Sequence, residues 1–369
     1  MTDPLLAFRA EFPILERTTY LVSNSLGAMP RGVPDRLAEY VDLWAEQGVK
    51  AWSRGWWEMP ITVGDEIAPL IGADPGEVVM FPNVTLAQAA VLSAIDYTPP
   101  RDTIVMTELD FPSVRYVYDR LAKRLGARIV VVPSEDGISI DLDRLLETID
   151  ERTRLVAISH VLFRSAYVMP VDVKQCETDF LTGGVLKWLC GGPGGCFLYV
   201  SPNVSQRLAP AITGWQAHAR PFGFEPEMEY SDDAFRWLNG TPAIPALYAA
   251  IEGPRVVRRA GIERIREKSI RQTSRLIELA DARGYSVRAP RDPARRGGTV
   301  AFDVAHAYEV TQYLLANRVL VDYRPGAGIR IAPHFYTSDA ELEQAVGMID
   351  HALETEAWRE FEARQSVVT

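Results

Sequence analysis

Hydrophobic and polar positions repeat along this chain with two periods, and the alternation between them predicts its elements. Arg31 to Val49 shows the spacing of an amphipathic helix, opened by a Pro/Gly stretch. Glu77–Phe81 (EVVMF) is a short apolar run, as expected of a buried strand. From Thr85 the chain (TLAQAAVLSAI) is rich in Ala and Leu and predicts a helix. A strand at Thr103–Met106, a helix at Pro112–Leu125 and a strand at Arg128–Val132 follow. A short helix is predicted within Ile140–Ile149, then strands at Leu155–Ser159 (LVAIS) and Cys196–Val200 (CFLYV). Strands alternating with helices imply βαβ units and a mostly parallel sheet.

Beyond about Pro254 the texture changes. One long charged helix is predicted from Arg255 to Arg283. After it come a strand near Thr299–Phe302, a helix near Tyr308–Asn317, a strand near Ile329–Ala332 and a last helix from about Asp339 to Ala357. The expected division is an N-terminal arm over 1–30, a large α/β domain over 31–253 and a smaller α+β domain over 254–369. No repeat or low-complexity tract interrupts it.

Composition narrows the function classes. The net charge is −10 and no block of Lys and Arg stands out, which argues against nucleic acid and anionic membrane as partners. No apolar run approaches the roughly 20 residues that span a bilayer, and the N-terminus lacks the pattern of a signal peptide. The three cysteines, Cys176, Cys190 and Cys196, match no zinc spacing and suit a reducing cytoplasm. No metal site is expected.

The most informative stretch is TDFLTGGVLKWLCGGPGGCFLYV, Thr178 to Val200. An apolar strand leads to a single lysine, Lys187, flanked by Leu186, Trp188 and Leu189, before a glycine-rich turn. A free ammonium is costly to bury there. Burial depresses a lysine's pKa and exposes a nucleophile able to form a Schiff base with a carbonyl cofactor. The plain alternative is a lysine that snorkels to the surface between two strands.

This segment resembles the cofactor-lysine region of class V aminotransferase-fold enzymes, the pyridoxal-phosphate (PLP) enzymes of fold type I, and more narrowly that of kynureninase. Other stretches agree in order: Tyr20–Gly27 (YLVSNSLG), Ser53–Trp56 (SRGW), Asn83–Ala87 (NVTLA), Phe111–Ser113 (FPS), Gly214–His218 (GWQAH), Asn239–Pro242 (NGTP) and the GIRIAPHFY around Arg330. The resemblance covers nearly the whole chain. It implies a mostly parallel central sheet in a large domain with a smaller α+β domain, PLP bound at Lys187, and hydrolysis of L-kynurenine to anthranilate and alanine in tryptophan catabolism.

It also implies roles. Val84 and Thr85 would hold the PLP phosphate at a helix N-terminus, where main-chain N–H groups and the helix dipole favour an anion. Phe111 would stack on the pyridine ring. Ser159, at the end of a predicted strand where open α/β sheets place ligands, would contact the cofactor. Trp215 and Thr241 would reach the phosphate, in such folds often from the partner subunit, which implies a homodimer with shared active sites. Arg330 would clasp the substrate carboxylate in a bidentate pair. Asn24, in the run to Gly27, would line the substrate entrance. His160 is left unassigned.

Two departures stand out. The family carries an aspartate for the PLP pyridine nitrogen on a strand between the Ser159 strand and the lysine segment. Here only the 16 residues Phe163 to Thr178 separate the two predicted strands, and a parallel crossover alone needs about a dozen. The join lies at Met169–Pro170. Either the protein lacks the segment or the sequence as given omits it, with omission favoured. Asp172 suits a turn and Asp179 a place near the lysine, and neither is promoted to the missing role. The second departure is Leu186, where kynureninases usually carry a tyrosine whose hydroxyl assists the phosphate and proton transfers. The rivals are therefore a class V aminotransferase or another PLP lyase, with cysteine desulfurase the weaker variant, and a degenerate PLP-fold protein that binds without turnover.

Overall fold

The computed structural model describes residues 3–169 and 177–362. Strand β1 (Thr19–Tyr20) closes the N-terminal arm. Helices α1 (Val33–Gln47) and α2 (Met59–Ile71) precede β2 (Val78–Phe81). Then come α3 (Val84–Ser93), β3 (Thr103–Thr107), α4 (Pro112–Leu125), β4 (Arg128–Val132), α5 (Leu142–Glu147) and β5 (Thr153–Val156). Strands β6 (Phe180–Gly184) and β7 (Cys196–Val200) flank the lysine turn, and α6 (Pro202–Ser205) and α7 (Ile244–Ala250) follow.

The predicted helix over 255–283 is two helices, α8 (Glu252–Ala260) and α9 (Ile262–Asp281). Gly261 sits between them at φ 84°, outside the helical region and open to glycine at little cost. A charge and hydrophobicity pattern cannot register a one-residue break of this kind. Strand β8 (Ser286–Val287), β9 (Val300–Asp303), α10 (Ala307–Ala316), β10 (Val319–Leu320), β11 (Asp322–Arg324), β12 (Gly328–Ile331) and α11 (Asp339–Glu354) complete the order. Helix α11 opens with a capping box, in which Ser338 and Glu341 satisfy each other's backbone N–H.

In the large part, β4-β3-β5 form a parallel three-stranded sheet, and β2-β7-β6 form a second, antiparallel one. Strand β7 runs antiparallel to both β2 and β6, so those two run the same way. The period of two in β2 gives it two buried faces. Val79 and Phe81 join β3 and β7 in a core capped by α3 and α4, while Val78 and Met80 face α2 and α7. The core under α3 and α4 draws on both sheets, and it takes in Leu155 and Ala157 on one side and Phe180 on the other. The two sheets thus lie under the same helices, yet among the described residues no strand pairing joins β5 to β6.

The C-terminal part has its own core. There α9, α10 and α11 cover the antiparallel sheet β11-β12-β9-β8. The N-terminal arm joins it through β1, which pairs in parallel with β10, and through Leu21 in that core. No described helix is long and apolar enough to cross a membrane.

Candidate active site

The site begins at the turn after β6. Lys187 sits there half-buried, with its Nζ 5.7 Å from the centre of the Phe111 ring. Among the described residues this nitrogen has no hydrogen-bond or ion-pair partner. Burial, and then the nearby Arg330, hold the amine below the ordinary lysine value, with Asp322 opposing and Arg324 reinforcing the shift. A lysine in that state is neutral more of the time and nucleophilic.

Phe111 caps the N-terminus of α4 and is 45% exposed, so part of its ring is open to solvent beside the amine. Its ring stands at right angles to that of Phe163, with ring centres 5.2 Å apart. The Phe163 carbonyl accepts a hydrogen bond from Arg330 Nη1 at 2.6 Å. Arg330 itself is buried, not a surface arginine, and is clasped side-on by Asp322 through Nε (2.8 Å) and Nη2 (2.5 Å). Arg324 Nη2 lies 3.3 Å from the same carboxylate. With its amide oriented to suit these neighbours, the Asn24 oxygen accepts from Arg330 Nε at 3.2 Å and Nη2 at 3.1 Å. Lys187, Phe111, Arg330 and Asn24 therefore form one constellation, with Phe163, Asp322 and Arg324 added to it.

The glycine of the SNSLG run explains its place. Gly27 N–H donates to the Leu186 carbonyl at 2.8 Å. A Cβ at Gly27 would lie 2.1 Å from the Lys187 oxygen, so only glycine lets the arm approach the lysine turn.

Ser159 lies just past β5, and its N–H donates to Asp110 Oδ1 at 2.8 Å. The other Asp110 oxygen takes the Thr107 N–H at 2.9 Å, so this buried carboxylate ties the ends of β3 and β5 together beside Phe111. Val84 and Thr85 form the first turn of α3, where Asn83 Oδ1 caps the Leu86 N–H at 3.0 Å. Thr85 is exposed. Trp215 and Thr241 belong to loops held together by Gly214, packed on the Asn239 carbonyl, and by Gln216 N–H donating to Asn239 O at 3.3 Å. Trp215 packs on Trp57, Trp52, Phe222 and Phe224, and no described contact joins it or Thr241 to Lys187.

Asp179 immediately precedes β6, at the opposite end of that strand from Lys187, so it does not lie beside the lysine. Asp172 and the join at Met169–Pro170 fall at or within residues 170–176, outside the described residues. Sequence reasoning passed over Asp322, Arg324 and His334. An acid in the Asp322-Tyr323-Arg324 run directly before the Arg330 strand was the available signal. Among the described residues no group of three or more His, Cys, Asp or Glu could hold a metal ion.

The geometry fits PLP in the residues that would hold it: a half-buried amine with no hydrogen-bond or ion-pair partner among the described residues, a partly exposed aromatic ring beside it and a guanidinium cluster within its field. The aminotransferase class-V family model matches residues 19–162. A cysteine desulfurase from Thermococcus onnurineus NA1 has the same fold, with a TM-score of 0.83 at 21% identity, over 96% of this chain and 99% of that one. The cystine C–S lyase C-DES, in complex with its product cysteine persulfide, superposes with a TM-score of 0.82 at 19% identity, over 92% of this chain and 98% of that one. Fold and site together define a PLP-dependent enzyme of the class V type.

The kynureninase C-terminal domain model matches residues 265–349. Over its length the chain is similar to the kynureninase of Pseudomonas fluorescens, 32% identical across 99% of this chain and 97% of that protein. The kynureninase of Burkholderia pseudomallei is 29% identical with the same shares. The chain belongs to the kynureninase family. The Pseudomonas fluorescens alignment runs over 402 positions, 33 more than the 369 residues here, so that relative carries residues without counterparts in this chain.

Proposed function

We propose that this protein hydrolyses L-kynurenine to anthranilate and alanine, a step of tryptophan catabolism. The observation that carries the reading is the Lys187 amine, without a hydrogen-bond or ion-pair partner among the described residues and held below its usual pKa, between the Phe111 ring and the Arg330 cluster. PLP bound there supplies an electron sink for the bond cleavage. Lys187 binds the cofactor and then moves protons beside it. Phe111 covers one face of the ring and keeps water off it. Val84 and Thr85 bind the phosphate, and Ser159 contacts the cofactor. Arg330 orients the substrate through its carboxylate, and Asn24 lines the entrance.

Trp215 and Thr241 complete the phosphate site from a second subunit. That assignment rests on their separation from Lys187 and on an apolar surface fit for a partner copy. Leu37, Val41 and Trp44 are exposed along one stripe of α1, and Phe222 and Phe224 stand out beside Trp215 at 62% and 77% exposed. A single molecule rarely leaves such residues together in water. The cytoplasm is the compartment we assign, on the buried free thiols Cys190 and Cys196. The division into an arm over 1–30, a large domain over 31–253 and a small domain over 254–369 is supported by the separate C-terminal core.

The test is an assay of the PLP-loaded protein with L-kynurenine, following anthranilate by fluorescence and alanine by mass spectrometry. Stoichiometric anthranilate and alanine, lost in Lys187→Ala, is the expected result. Turnover at background with saturating PLP, beside an active control kynureninase, refutes it. Leu186 favours a second reading, because its side chain offers no hydroxyl for proton transfer. In that case a class V transamination or another lyase reaction operates, and amino acids convert the bound cofactor to its pyridoxamine form.

A further inference from the structure

The main chain around Lys187 is held at three successive carbonyls, each from a different direction. The Leu186 oxygen accepts the Gly27 N–H of the N-terminal arm at 2.8 Å. The Lys187 oxygen accepts the Cys190 N–H of its own turn at 3.0 Å. The Trp188 oxygen faces His334 Nε2 at 2.8 Å.

The protonation of that imidazole follows from its neighbours. The Phe335 N–H donates to His334 Nδ1 at 2.9 Å, so Nδ1 carries no proton and Nε2–H is the donor to Trp188. Burial pushes the imidazole down to about 4, which keeps this single tautomer at neutral pH. The rings of His334 and Trp188 meet edge to face, with centres 5.3 Å apart. On another side the indole closes on Gly298, where a Cβ would come within 2.6 Å of it. Trp188 is thus wedged against two pieces of the C-terminal part. The His334 segment is anchored in turn, because Lys268 Nζ donates to the Phe335 carbonyl at 2.7 Å and pairs with Asp3 at the same distance.

We infer that His334 is a positioning residue for Lys187, fixing the main chain beside the lysine from the same short run that carries Arg330. His334 lies four positions after Arg330. A carboxylate engaging Arg330 therefore acts on the segment that, three residues past the end of β12, holds the Trp188 carbonyl. The lysine is set by the part of the protein that recognises the substrate. This inference rests on Lys187 being the cofactor lysine.

The test compares His334→Phe, which keeps an aromatic ring and removes the donor, with His334→Gln, which restores a donor amide. In the apo-protein, deuterium uptake in the peptide 185–192 should quicken about tenfold in His334→Phe, the ~1.4 kcal/mol of one buried hydrogen bond. It should return towards the wild-type rate in His334→Gln, with the rest of the protein unchanged. In the loaded protein the same pattern should appear in kcat for turnover of an amino acid, with KM nearly constant. Unchanged uptake at 185–192 in His334→Phe overturns the inference. So does faster uptake spread evenly over the whole protein, or a His334→Gln variant as impaired as His334→Phe. If Lys187→Ala keeps a borohydride-reducible cofactor, it is the reading of Lys187 that fails, whatever His334 does.

Discussion

Replacing Asp322 with alanine tests the electrostatics of the site without any cofactor. The Asp322 side chain is fully buried, and that of Arg330 is 5% exposed. Removing one partner of a buried ion pair leaves the other charge unpaired in a poor solvent, which costs about 3–5 kcal/mol. Two neutral acceptors stay with Arg330, the Phe163 carbonyl and the Asn24 oxygen. They place the expected cost near the lower end, ~3 kcal/mol, still a large share of the 5–15 kcal/mol that holds a typical domain folded. Arg324, with 32% of its side chain exposed, can turn to water and adds little. The partner removed matters less than the charge left behind, so the double variant Asp322→Leu/Arg330→Met should cost less than Asp322→Ala alone. Urea unfolding of the apo-protein reads both numbers, provided the m-values agree. A loss below about 1 kcal/mol in Asp322→Ala, the range of exposed pairs, would refute the argument. Strict additivity of the two sites would refute it as well.

Other outcomes follow from the same contacts. Borohydride reduction of the PLP-loaded protein should label one peptide, that of Lys187, and Lys187→Ala should leave the protein unlabelled. Gly27→Ala forces the arm away from the Lys187 carbonyl and should lower stability by roughly 1–3 kcal/mol, the cost of overpacking, together with a loss of bound PLP on titration. Sedimentation velocity should show twice the chain mass, and Trp44→Glu should move the population towards monomer; a wild-type monomer would remove the shared-site assignment of Trp215 and Thr241. The folded Lys187 amine titrates below the ordinary lysine value, so between the two the unfolded chain binds more protons. Stability of the apo-protein should then rise with pH across that window, and Lys187→Met should flatten the rise, leaving the contribution of Lys268.

The sequence was most legible where one short run decides the outcome. VVMF, TIVMT, RIVVV and CFLYV are strands because each is an apolar stretch bounded by turn residues. The lysine turn stood out because a lone charge in such surroundings needs a reason. Contacts between distant segments left no such trace. Asp322 is a single acid in a three-residue strand, and only folding reveals that it pairs with the arginine eight residues on. His334 and Trp188 are 146 positions apart, and no period links them. The break at Gly261 was hidden for the opposite reason, because the apolar spacing continues on both sides of it.

That no strand pairing joins the two sheets of the large part among the described residues has a consequence for how the protein comes apart. A continuous ladder of backbone hydrogen bonds makes its strands open together. Here β4-β3-β5 and β2-β7-β6 share no described ladder, and what couples them is apolar packing under α3 and α4. Such packing weakens on cooling far more than hydrogen bonds do. The two halves should therefore open as separate cooperative units. Their separation should widen in the cold, with the Phe111 side of the site losing its order independently of the Lys187 side.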